Sequence, residues 1–135
     1  MAKQSRAEPG EATTARNQKR GLGNRGEYLA AQMLVANGYR LLARNWRCPI
    51  GELDLVAEQG GSLVCVEVRT RRGESFGSPE ESITAAKRAR LAALAEAYVQ
   101  ATDWPGDWRI DVIAIELDAQ GRVSRMDHYQ NAVTG

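Results

Sequence analysis

The stretch from Gly51 to Thr70, GELDLVAEQGGSLVCVEVRT, constrains the fold of this 135-residue chain more than any other segment. Two segments of alternating polarity, 51–58 and 62–70, flank the dipeptide Gly60-Gly61. That pattern predicts a β-hairpin with a two-residue loop, because both loop residues of the tight turn need positive φ. With Gly60 and Gly61 as the loop, Gln59 faces Ser62. Leu53, Leu55 and Ala57 then face Val68, Val66 and Val64, and one side of the hairpin is wholly apolar. On the other side Asp54 faces Glu67, and Glu52 faces Arg69. A slip of one residue would turn the apolar set to water, so this register is self-consistent.

Two carboxylates directly opposed across a strand pair have Cβ atoms about 5 Å apart and repel each other. A divalent cation resolves that repulsion, since hard cations take carboxylate oxygens. Arg69 is a second way to offset it. The competing interpretation of Glu52, Asp54, Glu67 and Arg69 is a solvated charge cluster on an exposed sheet face.

The rest of the chain supplies partners for the hairpin. Leu22, Gly26, Leu29, Met33 and Ala36 recur at helical spacing and predict a helix over 22–37, with Gly38 just past its end. Tyr39–Trp46 reads as a strand. Ser78, Pro79 and Glu81 form a capping box, so a second helix is expected from there to about residue 101. Ile83, Lys87, Leu91, Leu94 and Tyr98 run down one side of it. Residues 108–117 are nearly all apolar, as in a central strand. Residues 122–130 are more polar and suit an edge. The fold class is α/β: an αβββαβ core with a central mixed sheet flanked by helices, plus a C-terminal edge strand. Residues 1–20 contain no Leu, Ile, Val or Phe and read as a disordered basic tail. Residues 21–135 are one domain's worth.

Composition narrows the function. A net charge of +1 excludes a protein that coats nucleic acid by bulk charge, but not a local basic patch. Arg outnumbers Lys 15 to 3, which favours planar contacts to phosphate. Cys48, Cys65 and His128 are too few for a Cys/His zinc site and read as reduced thiols and a lone imidazole. No apolar run approaches a membrane span, and the N-terminal segment lacks a secretory h-region, so a cytoplasmic protein is expected.

Other motifs fare unequally. GLGNRG, 21–26, matches a dinucleotide fingerprint by letter, but no strand precedes it. His128 has no neighbouring signal for nucleophilic catalysis. Asp111 interrupts an apolar strand and reads as structural, with Arg109 or a helix N-terminus as its partner. Glu27 lies on the flank of the first helix's apolar stripe. Lys87 lies within the second helix's stripe, where a snorkelling side chain is the ordinary role. Arg44, Arg47, Arg71 and Arg72 flank the strands around the carboxylates and are candidate nucleic-acid contacts. Trp46 suits either a core position or a base-stacking one.

An Asp in one strand, E-x-K in the next and a helical Glu upstream is the pattern of restriction-endonuclease-like nucleases, whose core also runs αβββαβ. More closely, GNRGE (23–27), Gly38-Tyr39, NWR (45–47), GELDLV (51–56), VEVRTR (66–71), KRARL (87–91) and RIDV (109–112) resemble the YraN-like family of uncharacterised bacterial proteins. These pieces span about residues 21–117. The resemblance implies a restriction-endonuclease-like fold with Asp54 and Glu67 as ligands of Mg²⁺ or Mn²⁺, and Glu27 as a helical acidic partner. The first hypothesis built on it is a metal-dependent nuclease acting on DNA, with Arg69 and Lys87 stabilising charge. One departure is plain: the E-x-K position reads Glu67-Val68-Arg69. Arg stays protonated, so it steadies charge but cannot deprotonate water. Lys87 is the candidate substitute if the second helix reaches the same face. Arg69 also favours an alternative, a non-catalytic module of the same fold that binds nucleic acid or a protein partner. A further alternative uses the open edge at 122–130 to form a homodimer.

Overall fold

The computed structural model describes residues 14–72 and 84–133. Helix α1 spans Thr14–Ala36, strand β1 Arg40–Cys48, β2 Gly51–Gln59 and β3 Ser62–Arg72. Helix α2 spans Ala85–Thr102, strand β4 Trp108–Leu117 and β5 Val123–Val133. The five strands form one sheet in the order β1-β2-β3-β4-β5. Only β3 and β4 are parallel; the other three pairs are antiparallel. The parallel pair requires a crossover, and α2 supplies it. This is the expected αβββαβ core with a C-terminal edge strand.

Alternation along β2 and β3 builds two cores. Leu55, Ala57, Val64 and Val66 pack with Ala30 and Leu34 of α1 and with Ile113, Ile115 and Leu117 of β4. Val56, Leu63 and Cys65 pack on the opposite face with Leu91, Leu94, Ala95 and Tyr98 of α2. The sheet is therefore covered on both sides, which is why β4 is almost continuously apolar.

Local chemistry sets the ends. Gly60 and Gly61 have φ of 59° and 86°, the two positive values that the tight hairpin turn needs. The resulting register, Gln59 opposite Ser62 through Leu55 opposite Val66, is the one expected. After α1, Gly38 has φ of 90°, its N–H donates to Val35 O and the Tyr39 N–H donates to Leu34 O, a Schellman cap.

Three expectations need correction. Helix α1 starts at Thr14, eight residues before the expected 22, so 14–20 belongs to the helix and not to a disordered tail. TARNQKR carries no helix breaker, and Ala, Arg, Gln and Lys are good helix formers. Helix α2 begins at Ala85 with Thr84 as its N-cap, the Thr84 hydroxyl accepting from the Lys87 N–H at 3.1 Å. The capping box at Ser78, Pro79 and Glu81 and the stripe residue Ile83 lie outside the described residues, as do residues 1–13.

The third correction concerns the hairpin face. Leu53 does not share the side of Leu55 and Ala57; it joins Val56 in the α2 core, while Val68 packs on the α1 side. The cause lies in the neighbouring strand. Arg44 pairs with Leu55 and Trp46 with Leu53, which leaves Asn45 opposite Asp54. Asn45 has φ of 53°, a left-handed conformation that Asn tolerates better than most residues. Opposite it β2 changes face at Asp54, and the β2–β3 pairing ends at Leu55 and Val66. Asp54 and Glu67 are therefore not a laddered cross-strand pair, and neither are Glu52 and Arg69.

Candidate active site

The end of the β2–β3 pairing creates the site. Asp54 Oδ2 accepts a hydrogen bond from the Val68 N–H at 2.8 Å, so a side chain takes the donor that β2 backbone no longer reaches. The carboxylate is thereby fixed at the point where the strands part. Burial, and then the nearby charge of Glu67, push the Asp54 carboxyl up to about 7. The repulsion expected from the sequence is present, although a splayed pair of strands produces it and not a ladder.

Glu67 projects toward α2, where Lys87 Nζ stands 3.6 Å from its Oε2. Thr84 sets this contact, because its cap fixes where the first turn of α2 begins. A cleft of about 400 Å³ lies here, lined by Glu52, Glu67, Thr84, Lys87, Arg90 and Leu91 among others.

Glu27 approaches from α1. Gly26 allows it: a Cβ there would sit 1.8 Å from Thr70 Oγ1, so only glycine lets α1 lie this close to β3. The Asn45 amide, with Nδ2 turned toward the carboxylates, donates to Glu27 Oε1 at 3.0 Å and to Glu52 Oε2 at 3.2 Å. The reverse orientation would set an oxygen against two carboxylates. Burial raises the Glu27 carboxyl above the ordinary range; Asn45 opposes the shift, and Glu52 adds to it. Arg47 Nη2 stands 3.6 Å from Glu52 Oε1.

The fold thus brings Glu27, Asp54, Glu67 and Lys87 into one region from four elements. Arg69 is not joined to them: its Nη1 is buried with no hydrogen-bond partner. Lys87, not Arg69, is the cation beside Glu67. Arg44 and Arg47 are exposed on β1, Arg72 is exposed at the end of β3, and Arg71 is partly buried. Arg88 and Arg90 are exposed on α2. Trp46 packs edge-on against Tyr98, ring centroids 5.2 Å apart, in the α2 core and not as a stacking platform. Sequence reasoning missed Asn45. Its one signal was an Asn, a residue tolerant of positive φ, within a strand.

Among the described residues no group of three or more His, Cys, Asp or Glu side chains is arranged to hold a metal ion. The Asp54–Glu67 pair still suits a hard cation of the Mg²⁺ type. Such an ion commonly takes one or two protein carboxylates and fills its remaining positions with water and phosphate oxygens. Oxygen donors and mutual repulsion fit that requirement.

Asp111 of β4, itself fully buried, centres a separate network whose other members Arg109 and His128 are partly exposed. It accepts from Arg109 Nε at 3.0 Å, from the Asn131 N–H at 2.8 Å, and pairs with His128 Nε2 at 2.8 Å. Its expected structural role with Arg109 holds, and His128 is its second partner.

The sequence model of the uncharacterised protein family UPF0102 matches residues 26–115. The chain belongs to that family. A UPF0102 protein of Roseiflexus castenholzii is 52% identical over 114 residues, covering 83% of this chain and 92% of the relative. One from Herpetosiphon aurantiacus is 48% identical over 117 residues (83% and 93%), and one from Moorella thermoacetica 45% over 115 (84% and 96%). The span matched to UPF0102 contains Glu27, Asn45, Asp54, Glu67 and Lys87 and stops before His128. Among the described residues no helix is long and apolar enough to cross a membrane.

Proposed function

We propose that this UPF0102 protein is a metal-dependent nuclease that hydrolyses phosphodiester bonds in DNA. The observation that carries the reading is the grouping of Asp54, whose carboxyl burial and then the charge of Glu67 push up to about 7, with Glu67 and with Lys87 Nζ 3.6 Å from Glu67. Asp54 and Glu67 would hold Mg²⁺ or Mn²⁺, which when bound polarises a scissile phosphate and supplies an activated water. The protein's own part is positional and electrostatic. The Val68 N–H orients Asp54. Lys87 balances the charge of Glu67 and faces a cleft in which a phosphate would gather negative charge as its bond breaks. Arg44, Arg47, Arg71, Arg72 and Arg90 would take flanking phosphates, the contacts that position a DNA backbone without reading sequence.

Calorimetric titration of Mg²⁺ and Mn²⁺ tests the site, with Asp54→Asn/Glu67→Gln as control and cleavage of linear and branched DNA as the second step. Saturable binding lost in the control, and cleavage abolished in Asp54→Ala and Glu67→Ala with the fold kept, are the expected results. Equal activity in mutants and wild type would sink the proposal.

A second reading keeps the fold without the chemistry: a module that binds nucleic acid or a protein partner. Arg69 at the E-x-K position, an obligate cation that cannot act as a base, favours it. It expects DNA affinity that falls with salt and ignores Mg²⁺.

A further inference from the structure

We propose that Asn45 is a positioning residue for this site: its side-chain amide clamps Glu27 of α1 to Glu52 of β2 and so aims Glu27 at the Asp54–Glu67 pair. The inference rests on the metal-site reading above and adds a residue to it. Three observations carry it. The amide reaches both carboxylates, at 3.0 Å and 3.2 Å. Asn45 lies opposite Asp54 in the β1–β2 register, so the clamp spans the point where β2 turns over. Its φ of 53° is the conformation that delivers the amide there.

The chemistry explains why an amide occupies this place. Two carboxylates from different elements repel and need a shared donor. Arg or Lys would supply one but would add positive charge and compete with a dication for the same oxygens. Asn is neutral and carries two N–H groups on one nitrogen, enough for one bond to each carboxylate. The region keeps its negative charge while its geometry is fixed. Glu52 is held from its other side by Arg47, 3.6 Å from Oε1, and is the anchor. Glu27 is bound by the amide through Oε1. Glu27 is the acidic neighbour of the Asp54–Glu67 pair, its charge reaching Asp54, and residues that order the surroundings of a metal site typically change cation affinity by about 10–100-fold when replaced. Asn45 is exposed, so the low end of that range applies.

The test separates the amide from the backbone bend. Asn45→Gly keeps positive φ and removes the donor; Asn45→Ala removes both. Mn²⁺ binding to the full-length protein, followed by electron paramagnetic resonance, should weaken about tenfold in Asn45→Gly with an unchanged melting temperature. Asn45→Ala should lose the same affinity and also melt lower. A metal-independent readout accompanies it: the Asn45 side-chain NH₂ resonances of the wild type should move toward free-amide positions in Glu27→Gln/Glu52→Gln. Wild-type Mn²⁺ affinity in Asn45→Gly, or NH₂ resonances already at free-amide positions in the wild type, would overturn the clamp while leaving the metal site standing. A wild-type protein that takes up no Mn²⁺, even with DNA present, would overturn both.

Discussion

Replacing Asp54 by Asn should make the metal-free protein more stable at about pH 8, against the usual expectation for a partly buried polar residue. The Asn carbonyl oxygen still accepts from the Val68 N–H, so the local hydrogen bond survives. What disappears is a charge held beside Glu67 in a poorly solvated position. In the unfolded chain Asp54 ionises near 3.8; in the folded one burial and Glu67 raise it to about 7. Between those values the native state binds more protons than the unfolded state, so stability falls as pH rises through that window. About three units at about 1.4 kcal/mol each set a ceiling of about 4 kcal/mol. Residual solvent contact and coupling to Glu67 bring the expected figure to about 2 kcal/mol. For a domain of this size that is a rise in Tm of about 8 °C. Urea unfolding of wild type and Asp54→Asn in EDTA, at several values between about pH 4 and pH 8, measures it. The gap should open from about pH 4 and level off above about pH 7. A gap independent of pH, or a variant less stable at pH 8, would refute the argument that Asp54 is a destabilised carboxylate.

Other expectations follow from packing and charge. Gly26→Ala forces a methyl into Thr70 Oγ1 and should cost about 1–3 kcal/mol, part of it recovered in Gly26→Ala/Thr70→Ala, as equilibrium unfolding would show. Burial pushes the Asp111 carboxyl up, but His128, Arg109 and the Asn131 N–H outweigh it and hold it below the ordinary range. Its stabilisation is present above about pH 4 and lost as the solution is acidified through the lowered value. Asp111→Ala removes the fully buried carboxylate that partners Arg109, His128 and the Asn131 N–H and should cost about 3–5 kcal/mol in denaturant titration at neutral pH. Lys87→Ala breaks a partly exposed ion pair and should shift stability by less than about 1 kcal/mol. Under the nuclease reading its turnover should drop about a hundredfold or more in a single-turnover cleavage assay.

The hairpin was legible because two glycines allow few loop geometries and a buried face permits only one register. The order of elements was legible for a similar reason: helical and strand periodicities differ, and Gly38 and Gly60-Gly61 punctuate them. Beyond Leu55 the same logic overreached. Strict alternation assigned Leu53 to the wrong core because nothing in GELDLV announces that its partner strand carries a left-handed residue. The carboxylates were visible as residue types and as neighbours, but the parting of the strands at which they meet was not. Lys87 was visible only as an oddity in an apolar stripe. Its meeting with Glu67 depends on the parallel crossover and on Thr84, a start for α2 that the letters at Ser78, Pro79 and Glu81 obscured. Asn45 was missed because a single αL position inside a strand has no period.

The parallel pairing of β3 with β4 also has a kinetic consequence. β1, β2 and β3 join through short connections and can pair as soon as they are synthesised, with Asp54 and Glu67 already on them. The crossover through α2 must close before β4 docks, and such non-local pairing is the slow step in folds of this kind. During synthesis the acidic half of the site therefore precedes its lysine. A chain halted after β3 would carry the carboxylates without Lys87 and, with α1 already made, would leave bare the apolar face that α2 covers. Ribosome-stalled fragments ending before α2 should accordingly be held by chaperones, and competence at the site should appear only once β4 has emerged.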